Sequence, residues 1–228
     1  MRRFALVFVL ALLFAYPASR LGVFDWPRAY DPLALPDLAH KPNFLTTWQM
    51  KLVDANPVDC ALVLNRVNVS AVLKADKGTG GNCPVVGAIA LEHLWKARLQ
   101  AEDTRCAIAA RLYLWERHVV QPAAVRILGE PIAEILHFGS FSCRTMRGNS
   151  NMSEHATANA FDISGFRLQS GRLISVKKQW NAESQDSVFL HTVRQGLCEN
   201  FNLTLSPDYN ADHVDHFHVD MGWIRDCR

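Results

Sequence analysis

Two short segments hold most of the side chains able to do metal chemistry. The first, Gly139–Asp162, reads G-S-F-S-C-R-T-M-R-G-N-S-N-M-S-E-H-A-T-A-N-A-F-D and places His155 and Asp162 seven positions apart. The second, D-H-V-D-H-F-H-V-D over Asp212–Asp220, crowds His213, Asp215, His216, His218 and Asp220 into one run. Two imidazoles and a carboxylate drawn from separate segments match what a catalytic Zn2+ requires, with a fourth position left for water. A His-to-Asp spacing of seven is weak by itself, but three features single this one out. Ser153 stands two residues before His155, alanines 156, 158 and 160 keep the intervening turn small, and the His-rich run lies on another segment. His155, His216 and His218 are therefore read as the metal-site histidines. His40, His93, His118, His137 and His191 are read as ordinary surface or core histidines.

The elements around these segments must bring them together. Pro131–Phe138 reads as a strand leading into the first segment, and Ala160–Ile163 as a strand leaving it. His213–Met221 reads as a loop entering a strand. Residues two apart share a strand face, so His216 joins His218 while Asp215 turns aside unless the backbone is irregular there. Phe166–Leu168 and Arg172–Val176 flank Gln169-Ser170-Gly171 as a hairpin. Asp186 can cap a helix over Ser187–Phe201 with an apolar face of Val188, Phe189, Val193, Leu197 and Phe201. Upstream, Phe44–Val63 reads as a helix interrupted near Pro57, and Gly78–Gly81 as a loop. Ile89–Leu99 reads as a strand followed by a short helix, and Arg105–Val120 as a helix. A second helix starts at Pro122 and stops near Gly129. Helices first, then strands with one inserted helix, imply an α+β fold: a small antiparallel sheet with flanking helices.

The chain has 228 residues, 49% hydrophobic and 20% charged, enough for one well-buried domain with an appendage. A formal net charge of +2 with scattered Lys and Arg implies no polyanion partner, and nothing suggests nucleic acid. Arg2-Arg3 precede the apolar run Phe4–Ala18, a pattern of export. Tyr16 stands where a cleavage site wants a small residue. The reading is therefore an uncleaved membrane anchor with the rest of the chain outside the cytoplasm, a cleaved signal peptide being the alternative. The expected organisation is an anchor over residues 1–24, a Pro-rich tether over 25–43 and a domain over 44–228. Prolines 27, 32, 36 and 42 make the tether extended. Six dispersed cysteines without a C-x-x-C pair imply disulfides in an oxidising compartment. Connectivity does not follow from sequence; pairing neighbours gives Cys60–Cys83, Cys106–Cys143 and Cys198–Cys227.

S-E-H-A-T-A-N-A-F-D resembles the S-x-H-x-x-x-x-A-x-D motif of zinc peptidases that include D-Ala-D-Ala carboxypeptidases, murein endopeptidases and lysostaphin-like enzymes. D-H-F-H resembles their second motif. F-S-C-R, S-G-F and N-A-D-H-V-D-H-F-H-V-D resemble the bacterial extensin-like C-terminal domain family more closely, over most of Asp59–Asp220. The resemblance implies His155, Asp162 and His218 as zinc ligands. It places Arg144 where the carboxypeptidases grip a substrate carboxylate, a task suited to a forked guanidinium. Ser153 then bonds substrate or caps its own turn. The carboxypeptidases carry a Glu three residues before the last histidine as general base. Here that position is Asp215, shorter by one methylene, so Asp215 and His216 are rival bases. His213 and Asp220 would orient the imidazoles. The implied activity is a zinc-dependent peptidase or amidase acting on peptidoglycan peptide. The alternative is a zinc-holding cell-wall binding module without turnover.

Overall fold

The computed structural model describes residues 17–19, 21–22, 27–78, 81–148 and 150–228. Most of the expected anchor lies outside them, and among the described residues no helix is long and apolar enough to cross a membrane. Two helices open the domain, α1 (Thr46–Ala55) and α2 (Pro57–Asn65). Pro57 ends the first and sits in the first turn of the second, where Asn56 accepts a bond from the Val58 amide. The proline-dense segment before them stays out of α-helix, as its composition dictates. It is nonetheless packed against the domain: Leu38 is fully buried, and its carbonyl lies 3.0 Å from His118 Nε2.

The sheet is larger than expected and mixed. Its eight strands are β1 (Ala88–His93), β2 (Arg98–Arg105), β3 (Ile132–Gly139), β4 (Ala160–Leu168), β5 (Leu173–Ser175), β6 (Leu203–Leu205), β7 (Phe217–Asp220) and β8 (Asp226–Cys227). The order is β1-β2-β3-β4-β7-β6-β8, with β5 also on β4. Two neighbours are parallel, β2 with β3 and β6 with β8. The expected all-antiparallel sheet failed at these pairs because each joins strands separated by long connections, which local patterns do not report. The segment after β1 also differs: it is a turn into β2 and not a helix. The buried carboxylate of Glu116 accepts bonds from the amides of Trp95, Lys96 and Ala97, satisfying that turn from far along the chain.

β4 is the centre. β3 runs along one of its edges, while β7 and β5 share the other, pairing with residues 160–163 and 165–167. Gly165 is required where β5 meets it, since a Cβ there would stand 2.4 Å from the Ile174 carbonyl oxygen. One face of β4 is apolar: Phe161 and Ile163 are fully buried, as are Phe217 and Val219 opposite them on β7. Two long helical segments complete the core. In the first, α3 (Cys106–Trp115) continues through a π-helical turn, Glu116–Val120, into α4 (Gln121–Leu128), ended by Gly129 in the left-handed conformation. After the single-turn α5 (Val176–Gln179) comes α6 (Gln185–Asn200), capped by Ser184, with Asp186 in its first turn. Trp115 donates its ring N–H to the Val193 carbonyl at 2.8 Å, tying α3 to α6.

The three disulfides are Cys60–Cys106, Cys83–Cys143 and Cys198–Cys227. Pairing by chain neighbourhood was right for the last and wrong for the other two. Helix α2 packs on α3, so the cysteine facing Cys60 is Cys106, 6.0 Å away between Cα atoms. Cys83 is left for Cys143, which joins the loop before β1 to the loop after β3.

Candidate metal centre

Strand pairing builds the site. Asp162 on β4 stands directly opposite His218 on β7, and Ala160 directly opposite Asp220. Alternation sends Phe161 and Val219 into the core and leaves Asp162, His218 and Asp220 on the other face. His155 arrives from a short 3-10 turn, Glu154–Thr157, which ends at Ala158 with φ 54°. The turn is fully enclosed at Ala156 and Ala158, so the small residues seen in the motif answer a packing demand.

Three ligand-type atoms converge: His155 Nε2, Asp162 Oδ1 and His218 Nδ1. Their separations are 3.1 Å (His155 to Asp162), 3.1 Å (His155 to His218) and 2.9 Å (His218 to Asp162). The far nitrogen of each ring is committed elsewhere. His155 Nδ1 lies 2.8 Å from the Ser140 carbonyl oxygen, which only accepts, so this nitrogen carries a proton. His218 Nε2 lies 3.0 Å from Asp220 Oδ2, and Asp220 Oδ1 is held by the Gly222 amide at 2.8 Å. In the neutral tautomers this leaves two nitrogen lone pairs and a carboxylate oxygen facing one another with no donor among them. Such a cluster demands a cation, either a proton or a metal ion.

The titration of the metal-free site follows from this. Burial raises the Asp162 pKa, but hydrogen bonds from His155 and His218 outweigh it and hold the carboxyl well below the usual range. Burial pushes His218 down, yet its bonds to Asp162 and Asp220 win and raise it to about 9. The proton on His218 thus satisfies the cluster when nothing else does.

Asp215 and His216, read as rival bases, are bonded to each other. A 3-10 turn, Ala211–His213, precedes β7, and the strand begins only at Phe217, so alternation does not govern Asp215. Asp215 Oδ1 lies 2.9 Å from His216 Nδ1. That bond fixes the proton on Nδ1 and leaves the Nε2 lone pair free, 3.7 Å from Asp162 Oδ1. Phe138 packs its ring edge-on to His216 at 5.5 Å between centroids. His213 is held through Nδ1 by Asn210 at 2.7 Å and lies tilted against His216 and edge-on to His218. Burial, then the neighbouring histidines, pushes its pKa down to about 4.

Arg144 is exposed on the loop pinned by the Cys83–Cys143 disulfide and forms no ion pair with any described residue. Its carbonyl accepts the Ser153 amide at 3.1 Å, which sets the loop against the histidine turn. Ser153 caps that turn, its hydroxyl accepting the His155 amide at 3.3 Å. Sequence reasoning missed the Ser140 carbonyl, Asn210 and the Glu154–Asn159–Gly222 brace. Asn159 donates to Glu154 at 2.6 Å, and its carbonyl accepts the Met221 amide at 3.1 Å. A Cβ on Gly222 would stand 2.7 Å from Glu154 Oε1. No local signal marks a backbone acceptor, but the glycine two residues after Asp220 was readable as a close approach.

No curated protein and no solved structure matches the chain. One family does, over residues 58–228, most of the chain and all of the site. By that match the chain belongs to the family described as extensin-like protein C-terminus.

Proposed function

We propose that this chain is a zinc-dependent peptidase or amidase acting on the peptide of peptidoglycan outside the cytoplasmic membrane, to which its N-terminal segment tethers it. The observation that carries the reading is the cation-demanding cluster of His155, Asp162 and His218 with a free imidazole nitrogen beside it. The residues fit zinc. Tetrahedral Zn–N and Zn–O distances of about 2.0–2.1 Å place ligand atoms about 3.3 Å apart, close to the 2.9–3.1 Å found among the three. The second nitrogens are tied to a carbonyl and a carboxylate, the outer shell that zinc histidines carry.

Bound by His155, Asp162 and His218, zinc would supply Lewis acidity toward a peptide carbonyl and toward water. The chain's own residues do the rest. His216 Nε2 accepts the proton of the attacking water. Asp215 keeps His216 in the right tautomer and stabilises the imidazolium that results, the arrangement of carboxylate-supported histidine bases. Arg144 offers its fork to a carboxylate on the peptide. His213 stays neutral beside them, so it adds no positive charge to oppose the protonation of His216.

Metal analysis of the purified full chain, together with digestion of isolated sacculi, tests the reading. One zinc per chain is expected, abolished by His155→Ala or Asp162→Ala, with cleavage lost on chelation. Full zinc occupancy in both variants would sink the ligand assignment. Stoichiometric zinc without cleavage of any wall peptide would replace the enzyme with a binding module.

A further inference from the structure

The proline-dense segment and the start of α1 form a surface that the proposed chemistry does not use. Four large apolar side chains stand out from it: Tyr30 (52% exposed), Leu33 (61%), Phe44 (80%) and Trp48 (50%). They form one patch. Tyr30 and Phe44 lie 6.4 Å apart between ring centroids, Asn43 donates to the Ala29 carbonyl, and Gln49 donates to the carbonyls of Arg28 and Asp31. Trp48 donates its ring N–H to the Pro32 carbonyl at 2.9 Å, beside Leu33. With that donor satisfied, the outward part of the indole has no polar demand left.

Charge around the patch has a sign. Arg28, Lys41 and Lys51 are exposed, and Lys51 Nζ sits 5.3 Å from the Trp48 ring centroid. Of the nearby carboxylates, Asp31 is buried and accepts the Leu33 amide, Asp37 lies against His40, and Asp54 pairs with Arg111. Aromatic rings with flanking cations are the composition of a surface seated at lipid headgroups, the cations favouring anionic lipid. Position along the chain agrees. The apolar N-terminal run ends at Ala18, and residues 19–27 separate it from Arg28, a reach of at most ~36 Å when extended.

We infer that the face formed by Tyr30, Leu33, Phe44 and Trp48 docks onto the headgroup region of the bilayer that holds the anchor, so the domain lies against the membrane in a fixed orientation. This rests on the anchored reading proposed above. A free tether would let the domain tumble; a packed tether with an aromatic face does not.

The test uses the full chain reconstituted into vesicles of phosphatidylcholine, with or without phosphatidylglycerol, whose acyl chains are brominated or plain. The emission component removed by Trp48→Phe isolates Trp48. Bromination should quench it at least ~2-fold, more strongly with the anionic lipid, as for an interfacial ring. Phe44→Asp should abolish the quenching while the chain stays inserted. If the chain does not enter vesicles at all, the anchor fails and the docking fails with it. If it enters and Trp48 emits equally in both lipids, or if Phe44→Asp leaves quenching intact, the docking alone is overturned. If Trp48 is shielded from aqueous iodide only in nanodiscs holding two chains, the face is a contact between copies and the inference is wrong.

Discussion

His216 and Asp215 show how a single bond changes the roles assigned to two neighbours. Taken separately, each competes to be the base. Bonded at 2.9 Å, the carboxylate sets the tautomer and the imidazole faces the His155–Asp162–His218 cluster. His216→Ala is therefore expected to keep zinc and lose at least ~100-fold in rate, the low end for general acid–base catalysis. Asp215→Ala should cost less than that, because Nε2 remains in place although tautomer control and support of the imidazolium are lost. Zinc content and sacculus cleavage measured on both variants check this. An Asp215→Ala variant that is dead with zinc retained, beside an active His216→Ala, would make the aspartate the base. Gly222 acts at one remove. Adding a Cβ crowds Glu154 Oε1 at 2.7 Å and Asp220 Oδ1 at 3.1 Å, and Asp220 is what holds His218 Nε2. Gly222→Ala should weaken zinc affinity by ~10-fold, as loss of an outer-shell partner does. Titration with a competing chelator reads that directly, and unchanged affinity would remove Asp220 from the account.

Among the elements, β4 does most of the positioning. Its first half pairs with β7 and carries Asp162 opposite His218; its second half pairs with β5 and returns to the core. The loop that brings His155 to this sheet is closed by an isolated antiparallel bridge between Thr145 and Met152, and the Cys83–Cys143 disulfide pins its base. That bridge spans 60 residues, and the chain-entropy account assigns such a closure about 4 kcal/mol. Replacing both cysteines with Ser is expected to lower the denaturant midpoint and to loosen the Arg144 loop first. Hydrogen exchange should rise in residues 141–153 before it rises in β4. Uniform exchange across both segments would show that the bridge stabilises the whole domain and not the site loop. The helices belong to the opposite face, where α3 and α6 meet through Trp115 and the Val193 carbonyl. That separation keeps the His155–Asp162–His218 cluster out of the apolar core.

At the scale of the whole molecule, acid should destabilise the domain through two half-buried histidines that take no part in the proposed chemistry. Burial lowers the pKa of His118 and of His137 below the ordinary 6.5. The unfolded chain then binds more protons than the folded one just below that value, so stability rises with pH through about 6.5 and falls as pH drops beneath it. Denaturation at several pH values in the presence of chelator should show that slope, and His118→Gln should reduce it. A slope unchanged in the variant would assign it elsewhere. The oxidised state belongs to this scale as well. No described cysteine is free, so thiol titration of the denatured protein from its native envelope should find none; six reactive thiols would contradict it.

The sequence by itself determined the parts whose causes are local. Pro57 broke one helix into two, Gly129 ended another, and alternation along each strand turned Asp162 away from Phe161 and His218 away from Val219. The two motif segments were identifiable because their residue types are rare in combination. Tertiary structure alone decided what depends on contacts between distant residues. The disulfides followed helix packing and not chain order. The parallel strand pairs and the turn held by Glu116 depend on partners far along the chain. The Pro-rich segment was packed down by Leu38, with Pro36 and Asp31 also buried, a set that no composition rule selects. Asp215 and His216 could be reconciled only in three dimensions. Alternation holds only where a backbone is paired, and the chain before Phe217 turns before it joins the sheet.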